Sequence, residues 1–130
     1  MILLDTNICI AHLNGDPRVQ IPMEQQVDEL AVPTLTAAEL HYRFSKSAKA
    51  NENLPRLRQF LGSFPVIDFD LESAEIFGQI KLHLERIGRK TGVVDLLIAA
   101  IALRHDATLV THNTRDFQDV PRVKLQDWLD

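Results

Sequence analysis

A chain of 130 residues fits one domain, large enough to bury roughly two thirds of the surface its unfolded form would expose. Hydrophobic residues at 45% and charged residues at 25% are those of a soluble globular protein and exclude disorder along the length of the chain. A formal net charge of -4 argues against broad nonspecific adhesion to nucleic acid, which needs a basic face, but leaves room for local RNA contact through a few basic side chains.

The chain opens on Ile2-Leu3-Leu4, a continuous apolar run that suits a buried strand over residues 2–4 and ends abruptly in Asp5, Thr6 and Asn7. Asp5 therefore falls at a strand's carboxyl end, the edge where open α/β sheets bind ligands. Asp5 or Asn7 would equally serve to cap the helix expected over residues 7–13. The single Cys9 has no disulfide partner and lies between Ile8 and Ile10, where a small buried apolar side chain fits better than a reactive thiol. With Asp5 and Asn7 breaking the apolar start before a secretory segment could form, a reduced, cytoplasmic protein is expected. Gly15-Asp16-Pro17 marks a turn, and residues 17–29 predict a helix that Pro22 interrupts. Residues 30–35 read as a strand that Pro33 pushes toward a sheet edge or irregular pairing. Helices follow over residues 36–47 and 51–64, the second with Leu54, Leu57, Phe60, Leu61 and Phe64 at helical spacing.

Residues 66–69 predict a short strand and residues 71–87 a long amphipathic helix bearing Ile76, Phe77, Ile80, Leu84 and Ile87. Gly88-Arg89-Lys90-Thr91-Gly92 is a loop with two positive charges. The helix over residues 96–104 is apolar on every side, which places it in the middle of the fold. Bounded by Asp95 and Arg104, it is too short to span a bilayer. Strands over residues 108–111 and 123–125 complete the pattern. Strands alternating with helices predict a three-layer α/β/α single domain over residues 1–130, with a mainly parallel central sheet of about five strands.

Several carboxylates fall on the same expected sheet edge. Thr36-Ala37-Ala38-Glu39 matches a capping box, and Glu39 is spaced for an ion pair with Arg43, yet Glu39 also lies near the start of a helix that leaves a strand. Asp95 opens the apolar helix as a cap or first-turn acid, a costly place for a carboxylate unless something compensates for lost water. Asp116 follows the fourth strand near a turn that Asn113 could cap. Each acid has an adequate local role. As a set, Asp5, Glu39, Asp95 and Asp116 would repel one another in a partly dry cleft unless a divalent cation held them ionised, and oxygen-only ligands favour magnesium or manganese.

Other motifs are weaker. Asp68-Phe69-Asp70 has the spacing of aspartyl-phosphate enzymes, although Asp70 is better placed as the cap of the helix that follows. His12, His41, His83, His105 and His112 show no ligand spacing, and only His112 lies near the acids. Serine-nucleophile elbows, phosphate-binding glycine loops and Cys/His constellations are missing.

Leu3-Leu4-Asp5-Thr6-Asn7, Thr36-x-x-Glu39, Gly92-x-x-Asp95-Leu96-Leu97-Ile98-Ala99-Ala100 and Leu109-Val110-Thr111-x-Asn113-Thr114-x-Asp116-Phe117, in this order, resemble a PIN-domain ribonuclease of the VapC toxin type. The resemblance covers nearly the whole chain. It implies an acidic metal site of Asp5, Glu39, Asp95 and Asp116, supported by Thr6, Thr111 and Asn113. Many relatives carry aspartate where this chain has Asn113, so the fourth acidic role passes to Asp116. The resemblance further implies Mg2+, with Mn2+ as substitute, and hydrolysis of RNA to 5′-phosphate products. Asp5-Thr6-Asn7-Ile8-Cys9-Ile10 and Asn113-Thr114-Arg115-Asp116-Phe117 are most similar to the branch that cuts initiator tRNA in its anticodon loop. Arg86, Arg89, Lys90 and Arg115 are candidates to hold the RNA backbone. A homodimer restrained by a VapB-type antitoxin is expected, with DNA met only through that antitoxin and no membrane contact. Two readings from other classes are an aspartyl-phosphate phosphatase or receiver centred on Asp5 or Asp68, and a noncatalytic interaction domain.

Overall fold

In a computed structural model describing residues 1–130, the opening apolar run forms β1 (Ile2–Leu4), buried at every position. Strand alternation sends Leu3 to one face and Ile2 and Leu4 to the other, so each face carries its own core. β1 is the middle strand of a five-stranded sheet ordered β3-β2-β1-β4-β5. Its companions are β2 (Leu30–Pro33), β3 (Val66–Ile67), β4 (Thr108–Val110) and β5 (Lys124–Gln126). Every pairing is parallel, with Leu3 opposite Ala31 on one side and Leu109 on the other.

The layer against Ile2 and Leu4 comes from α1 (Thr6–Leu13), α2 (Pro17–Gln25), α3 (Thr34–Ser45) and α4 (Ala50–Leu61), through Ile8, Cys9, Val19, Met23, Leu40 and Leu57. Burial pushes the Cys9 thiol pKa up, which keeps it inert. The layer against Leu3 comes from α5 (Leu71–Arg86), α6 (Val93–Arg104) and α7 (Thr114–Phe117). α6 behaves as its composition requires: Leu96, Ile98, Ala99, Ala100, Ile101 and Ala102 are all buried. A fully buried Leu or Ile contributes about 1.5–3 kcal/mol of transfer free energy, so this helix is a main support of the fold. It starts earlier than expected, at Val93, because Gly92 takes the cap and places Asp95 inside the first turn. No helix is long and apolar enough to cross a membrane.

The sequence misplaces three features. The helix expected over residues 17–29 stops at Gln25, and one tight turn, Val27–Glu29, leads into β2. α2 nevertheless runs through Pro22, forgoing a single backbone bond. Pro33 does not mark an edge: β2 lies between β1 and β3, and Pro33 is its last residue, where the ladder ends and α3 begins.

α5 and α6 form an antiparallel pair clamped at one end by Arg104, whose guanidinium lies 3.3 Å from Asp70 Oδ2 and 3.0 Å from Glu72 Oε1. Asp70 also caps α5, accepting the Ser73 N–H at 2.8 Å, as expected from its position. At the other end Gly88, with φ +70°, stops α5 in a conformation side chains rarely adopt, and the Arg89 N–H returns to the Leu84 carbonyl at 2.9 Å. Asp70→Ala is expected to cost about 1 kcal/mol through the lost cap and to lower the thermal midpoint by a few degrees, read by circular dichroism.

Candidate active site

Asp5 leaves β1 with its N–H bonded to the Val110 carbonyl at 3.0 Å, so its side chain sits where β1 and β4 end together. It does cap α1, Oδ1 accepting the Thr6 N–H at 2.8 Å, while Oδ2 accepts the Thr111 hydroxyl at 2.7 Å. Only 4% of Asp5 is exposed. Burial pushes its pKa up against these two hydrogen bonds, and the Glu39 charge pushes the same way. One carboxylate thus both caps α1 and ties it to Thr111 at the end of β4.

Glu39 is freed from the capping box. α3 begins at Thr34, so Thr36 falls inside its first turn with its hydroxyl buried and unpartnered, and Glu39 lies a turn further along. Glu39 Oε1 instead accepts the Thr6 hydroxyl at 2.8 Å. Arg43 forms no ion pair with it, and its positive charge acts on Asp5.

Asp95, half-buried in the first turn of α6, has its pKa pushed up to about 6, first by burial and then by the charges of Asp5, Asp116 and Glu39. Asp116 is exposed in the four-residue α7. The loop before it is tied to Asp5 through Thr111, whose hydroxyl oxygen also accepts the Asn113 N–H at 3.0 Å. Asn113 occupies the cap position of α7 without a side-chain bond to it. The structure therefore gathers the four expected acids into one electrostatic neighbourhood, with Thr6 and Thr111 bonded to two of them. No three His, Cys, Asp or Glu side chains close into a ready-made metal cage. The donor set still suits magnesium, which keeps several waters and is commonly held by one or two carboxylates.

Raised pKa values have a direct consequence for stability. The native Asp95 takes up its proton near pH 6 and an unfolded one near 3.8, so its charge destabilises the fold above that window and is relieved as pH falls through it. The metal-free chain should therefore gain stability through this group between pH 7 and pH 5, and Asp95→Asn should flatten that part of a melting-temperature profile.

The expected RNA contacts fall in two places. Arg86 ends α5, and Arg89 and Lys90 border a groove between α5 and α6 that also holds Lys81. Arg115 borders a polar depression of about 410 Å³ beside Asp116, shared with His112, Asn113, Asp127 and Asp130. Sequence reading missed the contacts of Asp127 with His112, at 3.0 Å, and of Asn7 Oδ1 with the His112 N–H, at 3.3 Å. It missed Lys81 as well, since a lone lysine on an amphipathic helix reads as a solvated charge.

The sequence model of the PIN domain matches residues 2–123. The chain belongs to the PIN family. Within it the chain stands with VapC toxins. Ribonuclease VapC2 of Rickettsia felis is 35% identical over 129 residues, covering 97% of this chain and 96% of that protein. The tRNA(fMet)-specific endonuclease VapC of Shigella flexneri is 34% identical over 127 residues, with the same coverage of 97% and 96%. A chain of the DNA-bound VapBC crystal structure from Salmonella typhimurium superposes with a TM-score of 0.93 at 30% identity, over 98% of this PIN chain and 97% of that one. Family membership leaves the aspartyl-phosphate reading centred on Asp5 or Asp68 without support.

Proposed function

We propose that this chain is a metal-dependent endoribonuclease toxin that hydrolyses RNA phosphodiester bonds, with initiator tRNA, cut in its anticodon loop, as substrate. The observation that carries the reading is Asp95, whose pKa is pushed up to about 6 by burial and by three other carboxylates that lie far away in sequence. A cleft of this kind favours a bound divalent cation over four uncompensated charges. The name of the Shigella relative supports the tRNA assignment.

Asp5, the most buried of the four, and Asp95 would be the principal metal ligands, with Glu39 and Asp116 closing the site from α3 and α7. Bound there, Mg2+ or Mn2+ supplies a Lewis acid for water activation and for the charge that builds on the phosphoryl oxygens. Thr111 holds Asp5 in one rotamer, and Thr6 does the same for Glu39. Attack by a metal-activated water needs no participation of the ribose 2′-hydroxyl, so the products would carry 5′-phosphates. A VapB-type antitoxin would silence the site by setting a basic side chain among the carboxylates. The toxin acts in the cytoplasm as a homodimer within a hetero-oligomer that meets DNA through the antitoxin, in keeping with the DNA-bound Salmonella VapBC.

The test is incubation of purified chain with a labelled tRNA pool, with Mg2+ or Mn2+ and with EDTA. Cleavage confined to the metal-containing reactions, at one dominant position, is expected. Intact RNA in every reaction would overturn the nuclease reading in favour of a noncatalytic interaction domain.

A further inference from the structure

Residues 81–90 carry four of the 14 Lys and Arg side chains in a chain of net charge -4, against a single acid, Glu85. The end of α5 and the loop that follows are thus one of two basic stretches, the other holding Arg43, Lys46 and Lys49. Gly88 turns the chain after α5, so that Arg89 and Lys90 face back over α5 and join Lys81 around a groove of about 380 Å³. Leu84 and Leu96 form its floor, and Thr91 stands at its lip. Two of its lining residues, Thr91 and Leu96, flank Gly92 and Asp95 in sequence, which places the groove at the end of α6 that carries Asp95.

The cations of this groove are loosely engaged. Lys81 lies 3.7 Å from Glu85 and Arg89 4.0 Å from Asp119, both pairs with exposed partners, and Lys90 pairs with no carboxylate. Exposed ion pairs at such distances contribute little, so an incoming phosphate can replace either acid at small cost. Single-stranded nucleic acid is commonly held along a positively charged groove that follows its backbone. We infer that the groove between α5 and α6 is a nucleotide subsite of the acidic centre, in which Lys81, Arg89 and Lys90 hold a backbone phosphate of single-stranded RNA next to the one that is cut. This rests on the ribonuclease reading, and it assigns the strand's path across α6 to the side of Thr91.

The test is equilibrium binding of a short single-stranded RNA to the full chain in EDTA, where nothing is cleaved, across a series of salt concentrations. Lys81→Gln with Lys90→Gln should weaken binding about tenfold for every RNA sequence tried. The dependence of log affinity on log salt should flatten by about 0.7 for each phosphate that the variant no longer neutralises. Lys124→Gln serves as control, because Lys124 pairs with Asp106 at 2.9 Å where the strands begin, on the opposite edge of the sheet, and should change neither quantity. Unchanged affinity in the double variant, weaker binding without a flatter slope, or an equal weakening in the control each overturns the subsite. None of these outcomes bears on whether the acids cut RNA, which the metal and EDTA reactions decide separately.

Discussion

Asp95→Asn is expected to lower RNA cleavage at pH 7 by at least about 1,000-fold, roughly 4 kcal/mol of activation free energy, while raising the thermal midpoint of the metal-free chain. The two effects have one cause. The Asp95 carboxylate is held half-buried among Asp5, Asp116 and Glu39, so removing its charge relieves repulsion among the acids and, in the proposed mechanism, removes a metal ligand. Asp5→Asn should match the loss of cleavage without a comparable gain in stability, because Asp5 caps α1 and accepts the Thr111 hydroxyl as well. Thr111→Val should cost about 10- to 100-fold, the range typical of groups that orient a metal ligand. Asp116→Asn should be milder than Asp95→Asn, since Asp116 is exposed and water compensates part of its charge. Initial rates on a labelled tRNA, paired with melting curves of each variant, check the series. A nuclease that survives both Asp5→Asn and Asp95→Asn would remove the acids from the mechanism.

How much of this was legible from residues alone follows from range. β1 and α6 carry continuous apolar runs, so burial dictates them locally, and the three-layer arrangement follows from the alternation of strands with helices. The convergence of Asp5, Glu39, Asp95 and Asp116 was legible because each follows a strand or begins a helix, and a parallel sheet sends all such ends to one edge. Glu39 was half misread: Thr36 and Glu39 have capping-box spacing, but helix α3 starts two residues earlier, behind Pro33, and the true partner of Glu39 is Thr6 on the neighbouring helix α1. Local spacing cannot reveal a bond between residues 33 positions apart. α7 escaped for a related reason. Its single turn has no periodicity to detect, and it exists because Phe117 anchors it to the core.

That anchor yields the largest stability effect expected. Phe117 is fully buried in the core cluster that also holds the α6 side chains and Val120, and α7 has no side-chain cap of its own to hold it in place. Phe117→Ala should cost about 3–5 kcal/mol, a large share of the roughly 5–15 kcal/mol that stabilises a typical domain. A destabilisation of that size lowers the thermal midpoint by roughly 10–20 °C for a chain of this length. Phe117→Leu keeps most of the apolar volume and should cost about 1.5 kcal/mol or less. Because Asp116 is the neighbouring residue, the two variants also separate folding from chemistry. At a temperature where both remain folded, Phe117→Ala should cleave RNA more slowly through a loosened Asp116, while Phe117→Leu should retain nearly full activity. An unaltered midpoint in Phe117→Ala would show that α7 is not held by this side chain, and the position of Asp116 would then need another support.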